Sequence, residues 1–262
     1  MKKFIAVFAA TLMALAIAAP AMAQSAATIT LIHGIPDADV DVIVDGEAVF
    51  EGFQFGDTQD LSALAGATLT GLTVVLAGTD TAVIGPVDFD VPASGNYSVI
   101  ANLDASGTPA LNAYENDTSE IAAGNGRLVV RHAAAAPAVD VKADGAVAFS
   151  NVSNPNEASA DLPAASYSVE VVPTGADEPV VIGPADIAVT DGESLIVYAV
   201  GSLDDETLTV LTQSITGLGA APAAVSTGNS PIDSGISMTA VASVMIIATV
   251  VAGGSLVLAR KF

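Results

Sequence analysis

The 262-residue chain has no cysteine, no tryptophan and only 7 lysines and arginines. Without Cys it lacks thiolate metal ligands, thiol redox chemistry and disulfide staples. Without basic clusters it offers no counterion-releasing surface to phosphates, which excludes nucleic-acid binding. With no Trp and 4 Tyr, aromatic platforms for sugars are scarce, which weakens carbohydrate binding and glycoside hydrolysis. Helical periodicity is also missing outside two long uncharged stretches. Acid is what the chain has in excess: 29 Asp and Glu give a formal charge of -22. No acid precedes Asp37 or follows Asp233, and between them stand only Arg127, Arg131 and Lys142, leaving that middle at -26. At 52% hydrophobic residues it is not a disordered acidic tail.

The two chain ends read as targeting and anchoring segments. Lys2 and Lys3 precede an uncharged apolar stretch, and Ala21-Met22-Ala23 follows Pro20. This is the pattern of a signal peptide over 1–23, with cleavage leaving Gln24 first. Ile236 to Ala259 has no charge and as a helix would reach about 36 Å, enough to cross a ~30 Å hydrocarbon core with tilt. Arg260-Lys261-Phe262 then forms a basic tail over 260–262, which the positive-inside rule keeps cytoplasmic. Residues 218–235, rich in Gly, Ala, Pro, Ser and Thr, read as a flexible stalk. The expected protein is exported and single-pass, its body extracellular and its partner at the C-terminus the membrane. Ser230-Pro231-Ile232-Asp233-Ser234-Gly235 is a poor match to a transpeptidase sorting motif, so a retained anchor is the reading adopted.

Internal repetition organises the middle. His33, Val40-Asp41-Val42 and Asp45-Gly46 return 99 residues later as His132, Val139-Asp140-Val141 and Asp144-Gly145. Ile84-Gly85-Pro86 returns as Ile182-Gly183-Pro184 at an offset of 98, which one deletion in a loop would explain. The chain therefore divides into two copies, 27–123 and 124–217. Val40, Val42 and Val44 alternate with acids, the period of a half-buried strand. Asp45-Gly46 and Asp144-Gly145 read as hairpin turns. Further strands are predicted at 72–76, 87–91, 97–102, 167–172, 187–190 and 194–200. About seven short strands per copy predict an all-β protein of two tandem immunoglobulin-like β-sandwiches.

The run from His33 to Gly46, with its echo from His132 to Gly145, resembles the signature H-A-S-P-D-A-P-x-V-D-V-x-x-D-G. That signature belongs to a family of extracytoplasmic prokaryotic domains of unknown function, often found as tandem copies. Gly34-Ile35 and Ala134-Ala135-Ala136 depart from it. The resemblance implies an exported β domain and carries over no catalytic residue.

Candidate chemistry is sparse. Only His33 and His132 could serve as imidazole bases, and no Ser sits in a nucleophile elbow. By parity each His shares a face with core residues, so the expected role is a buried imidazole holding a loop. Asp37, Asp39, Asp41 and Asp45 crowd one end of the first copy, and of these Asp37, Asp39 and Asp41 offer oxygen ligands that could suit Ca²⁺. An EF-hand is absent, and Lys142 would repel a cation from the second copy. Arg127 and Arg131 are expected to point outward on a common face, each with a carboxylate partner. The sequence points to a non-enzymatic surface module acting in interaction or envelope structure, without a cofactor. The alternatives are a small-ligand or Ca²⁺-binding module and, behind it, a carboxylate-dependent hydrolase.

Overall fold

The computed structural model describes residues 26–220. The predicted signal peptide, most of the stalk, the membrane span and the basic tail lie outside the described residues. Among the described residues no helix is long and apolar enough to cross a membrane.

The first copy consists of β1 (Thr28–His33), β2 (Val40–Val44), β3 (Glu47–Phe53), β4 (Thr58–Asp60), β5 (Thr68–Leu76), β6 (Ala82–Asp90), β7 (Asn96–Leu103) and β8 (Pro109–Glu115), with a single 3-10 turn at Ser62–Leu64. The second consists of β9 (Asn125–Ala135), β10 (Val139–Ala143), β11 (Ala146–Val152), β12 (Glu157–Pro163), β13 (Ala165–Pro173), β14 (Ile182–Val189), β15 (Ser194–Ser202) and β16 (Thr209–Ile215). Each copy splits into two four-stranded sheets, ordered β3-β2-β5-β6 and β4-β1-β7-β8 in the first and β11-β10-β13-β14 and β12-β9-β15-β16 in the second. The duplication is therefore complete, strand for strand.

The all-β sandwich expectation stands, but the immunoglobulin-like order does not. In that arrangement the first strand shares a sheet with the second, fourth and fifth. Here β1 lies between β4 and β7, parallel to β7, while β2 belongs to the opposite sheet. The segment from His33 to Val40 crosses between sheets and so separates the two strands. Eight strands form per copy rather than seven; the extra ones include β8 and β16, which lie at sheet edges.

The copies also differ in length at more than one place. Leu69 pairs with Phe89 as Tyr167 pairs with Ile187, but Val74 pairs with Ile84 as Val171 pairs with Ile182. The first copy thus carries an extra residue inside β5, where the register shifts and the Gly71 amide donates to Asp88 Oδ1 at 2.9 Å. The second copy regains one residue in the following hairpin. A single loop deletion does not account for the offsets; a β-bulge is one of the differences.

Packing layers the four sheets. One apolar cluster, including Ile29, Leu31, Val40, Phe53, Val74 and Val99, fills the first sandwich. An equivalent cluster, including Leu128, Val130, Val141, Phe149 and Val171, fills the second. A third joins Ile32, Ile100 and Tyr114 of the first copy to Val129, Ala133, Ile196, Tyr198 and Val200 of the second. The sheets containing β1 and β9 are therefore buried on both faces, and the copies meet through their equivalent sheets. Ile121, in the segment between copies, is fully buried and bridges to Gly219, so the chain after β16 is tied beside that segment.

Candidate functional site

His33 closes β1 and His132 lies three residues before the end of β9, each at the base of the segment that crosses to the other sheet. His33 and His132 are buried. The Ile35 amide donates to His33 Nδ1 at 3.3 Å, so the ring proton is on Nε2, which donates to the Ala38 carbonyl at 2.6 Å. His132 repeats this, accepting the Ala134 amide at 3.4 Å and donating to the Pro137 carbonyl at 3.0 Å. Burial pushes both imidazoles below their ordinary pKa and outweighs the carbonyl hydrogen bonds that raise it. Each ring is neutral and engaged at both nitrogens within its own loop.

The repeated aspartates of the Val-Asp-Val strands also act on the backbone. Asp41 accepts the Gly52 amide at 2.7 Å and the Gly78 amide at 3.0 Å. Asp140 accepts the Asn151 amide at 2.8 Å and the Gly175 amide at 2.9 Å. These donors hold both carboxyls below the usual carboxylate range. Each aspartate thereby ties a bend in the third strand of its copy to the turn after the fifth. Asp45 (φ 52°) with Gly46 (φ 81°), and Asp144 (φ 49°) with Gly145 (φ 80°), form the two tight hairpin turns. Asp39 accepts from Gln54 Nε2 at 3.4 Å, and Asp37 lies in the crossing loop at φ 58°. Asp37, Asp39 and Asp41 do not converge: among the described residues no group of three His, Cys, Asp or Glu could hold a metal ion.

The sequence pointed to Arg131 and a carboxylate partner but not to the polar constellation around it. That constellation is centred on Arg131, only 1% exposed, between the copies. Its Nε donates to Glu157 Oε2 at 2.6 Å, Nη1 to the Tyr198 hydroxyl at 2.8 Å and Nη2 to Asn116 Oδ1 at 2.8 Å. The guanidinium lies 4.4 Å from the Tyr114 ring centre and 5.3 Å from that of Tyr198. Tyr198 then donates to Gln213 Oε1 at 2.7 Å, which also accepts from Ser98 at 2.7 Å across the interface. Tyr114 donates to the Pro155 carbonyl at 2.8 Å, and burial pushes its pKa to about 12. Arg127 pairs with Asp161 at 2.8 Å and with Asp117 of the inter-copy segment at 3.0 Å.

Arg127 and Arg131 do lie on one face of β9 with carboxylate partners, but that face is not solvated. The outer face of the second sandwich is the inter-copy interface. Lys142 is also buried and pairs with Asp177 at 2.7 Å, so all three cations of residues 26–220 are ion-paired. No buried side-chain nitrogen or oxygen among the described residues lacks a hydrogen-bond partner. The arrangement is that of a satisfied structural network.

Residues 27–142 match the model of a family described as "Domain of unknown function (DUF4397)". The matched span takes in the whole first copy, β9 and all of β10 but its last residue. No curated protein matches the chain.

Proposed function

We propose that this is an exported, membrane-anchored, non-enzymatic surface module in which two fused β-sandwiches act as one rigid structural or interaction element. The observation that carries the reading is the shared core between copies, closed around Arg131. A buried, fully bonded interface suits a fixed spacer or display unit better than two independently swivelling binders. The two ends of the described β body fit the same reading. Ala27 bonds beside Ala93 at the start of β1 and β7, while Ala220 bonds to Ile121 beside the start of β9 and β15. Both lie at one end of the strands, and at the other Asn102 donates to the Ala133 carbonyl and Asn154 to the Leu103 carbonyl, joining the copies beside the histidine loops. A stalk leaving Ala220 toward a membrane would turn those loops outward. The partner would be an envelope or surface component rather than nucleic acid, given the acidic body.

The absence of Cys makes the test direct. A single cysteine introduced as Ala136→Cys should react with a membrane-impermeant maleimide on intact cells, whereas Phe262→Cys should react only after permeabilisation. The mature chain should begin at Gln24 and require detergent for extraction. Labelling of Phe262→Cys outside the cell, or retention of Met1 on a soluble cytosolic chain, overturns the proposal.

A further inference from the structure

The two sandwiches are alike in topology but not in how well they fill. The first encloses a cavity of about 220 Å³ between its sheets, bounded by residues such as Leu31, Val42, Phe50, Phe53, Leu72 and Phe89. The corresponding space in the second is about 50 Å³. Tyr167 occupies the place of Leu69 there, by the strand pairing of each with Ile187 and Phe89. The first cavity has only apolar side chains in its lining. Water needs two or more polar partners, so such a space is suited to apolar matter. Two lining residues are solvent-exposed, Val49 at 49% and Leu64 at 39%, and they mark its mouth.

Charge narrows the ligand class. The first copy has no Lys or Arg at all, and its acids include Glu47 and Glu51, two residues to either side of Val49 along β3. A carboxylate or phosphate headgroup would meet repulsion at this mouth, whereas an uncharged or cationic end would not. Size narrows it further. A 150 Å³ apolar cavity takes benzene, so scaling by volume gives roughly nine carbons here.

We infer that the first sandwich is a binding site for a neutral or cationic molecule carrying an alkyl or aromatic portion of about nine carbons, inserted between its sheets past Val49 and Leu64. The second sandwich does not share the site. This inference does not depend on the membrane reading above.

The test is photolabelling of the full-length chain with a nonanol analogue bearing an alkyl diazirine, with the labelled residues mapped by mass spectrometry. Label should appear on β2, β3 and β5 of the first copy and not on their counterparts β10, β11 and β13. Nonanol and nonyltrimethylammonium should compete at concentrations at least tenfold below those needed for nonanoate. Val49→Asp, a surface change that puts a charge at the mouth, should reduce labelling at least tenfold. Ala101→Leu, which grows a side chain into the cavity wall, should do the same, and Val147→Asp on the second copy should change nothing. Label spread equally over both copies, or undiminished in both Val49→Asp and Ala101→Leu, overturns the site. Equal competition by nonanoate overturns the charge selection.

Discussion

Each histidine gives its proton to a carbonyl a few residues ahead and takes one from an amide two residues ahead, so the imidazole is the hub of the crossing loop. Replacing both with Gln keeps one hydrogen-bond group but not the ring that reaches both partners. The double variant His33→Gln/His132→Gln is expected to lose about 1–3 kcal/mol per site, read from urea unfolding. Their pH behaviour follows from burial. Folding lowers both pKa values below 6.5, so as the solution is acidified the unfolded chain takes up protons first. Stability is therefore full above pH 6.5 and falls as pH drops through 6.5 toward the folded-state values. The melting temperature should decline between pH 7.5 and 5.5 in the natural protein and stay level over that range in the double variant. The burial and loop-holding position of these rings could be read from strand parity, because Ile29 and Leu31 share the face of His33. Their carbonyl partners could not, since they depend on the path of the crossing loop.

At the scale of elements, the Val-Asp-Val strand is a clamp. Its valines enter the core while its aspartate reaches sideways to two amides, one on the third strand and one on the turn after the fifth. The Asp41→Asn variant can accept one of these amides but presents an NH₂ to the other. It is expected to melt below the natural protein at neutral pH. The aspartate's contribution is present above the ordinary carboxylate pKa of 3.8 and is lost as pH falls below it, so the gap should narrow below pH 3.8. The repeated motif itself was legible in the sequence, as were the hairpin turns, because Asp-Gly encodes positive φ locally. Strand order was not. The immunoglobulin-like expectation came from counting strands, and counting is blind to which sheet receives β2. The small-residue strand Glu157–Pro163 was missed because Ala158, Ser159 and Ala160 carry little hydrophobic contrast.

For the whole molecule the decisive contact is the inter-copy interface, and Arg131 is its most exacting residue. Arg131→Met keeps the volume but leaves Glu157, Asn116 and the Tyr198 hydroxyl short of a donor. A broken buried pair costs about 3–5 kcal/mol, and the 40% exposure of the Glu157 side chain puts this one at the lower end. Calorimetry should show one unfolding transition for the natural protein and two for Arg131→Met, as the copies uncouple. The sequence held a sign of this interface that parity alone hides. Leu128-Val129-Val130 and Leu195 to Val200 are apolar on consecutive positions, the mark of strands covered on both faces. Read as half-buried strands, they placed Arg127 and Arg131 in solvent; covered on both faces, the same parity aims them at the other copy.

The burial of every cation in the body has a consequence for its resistance to proteolysis. Trypsin-type proteases need a Lys or Arg side chain that can extend into their specificity pocket. Between residues 26 and 220 the only three such side chains are locked in ion pairs beneath the surface. The folded body therefore presents that whole class of enzyme with no bond to cut, and its degradation must begin elsewhere, with enzymes of a different appetite.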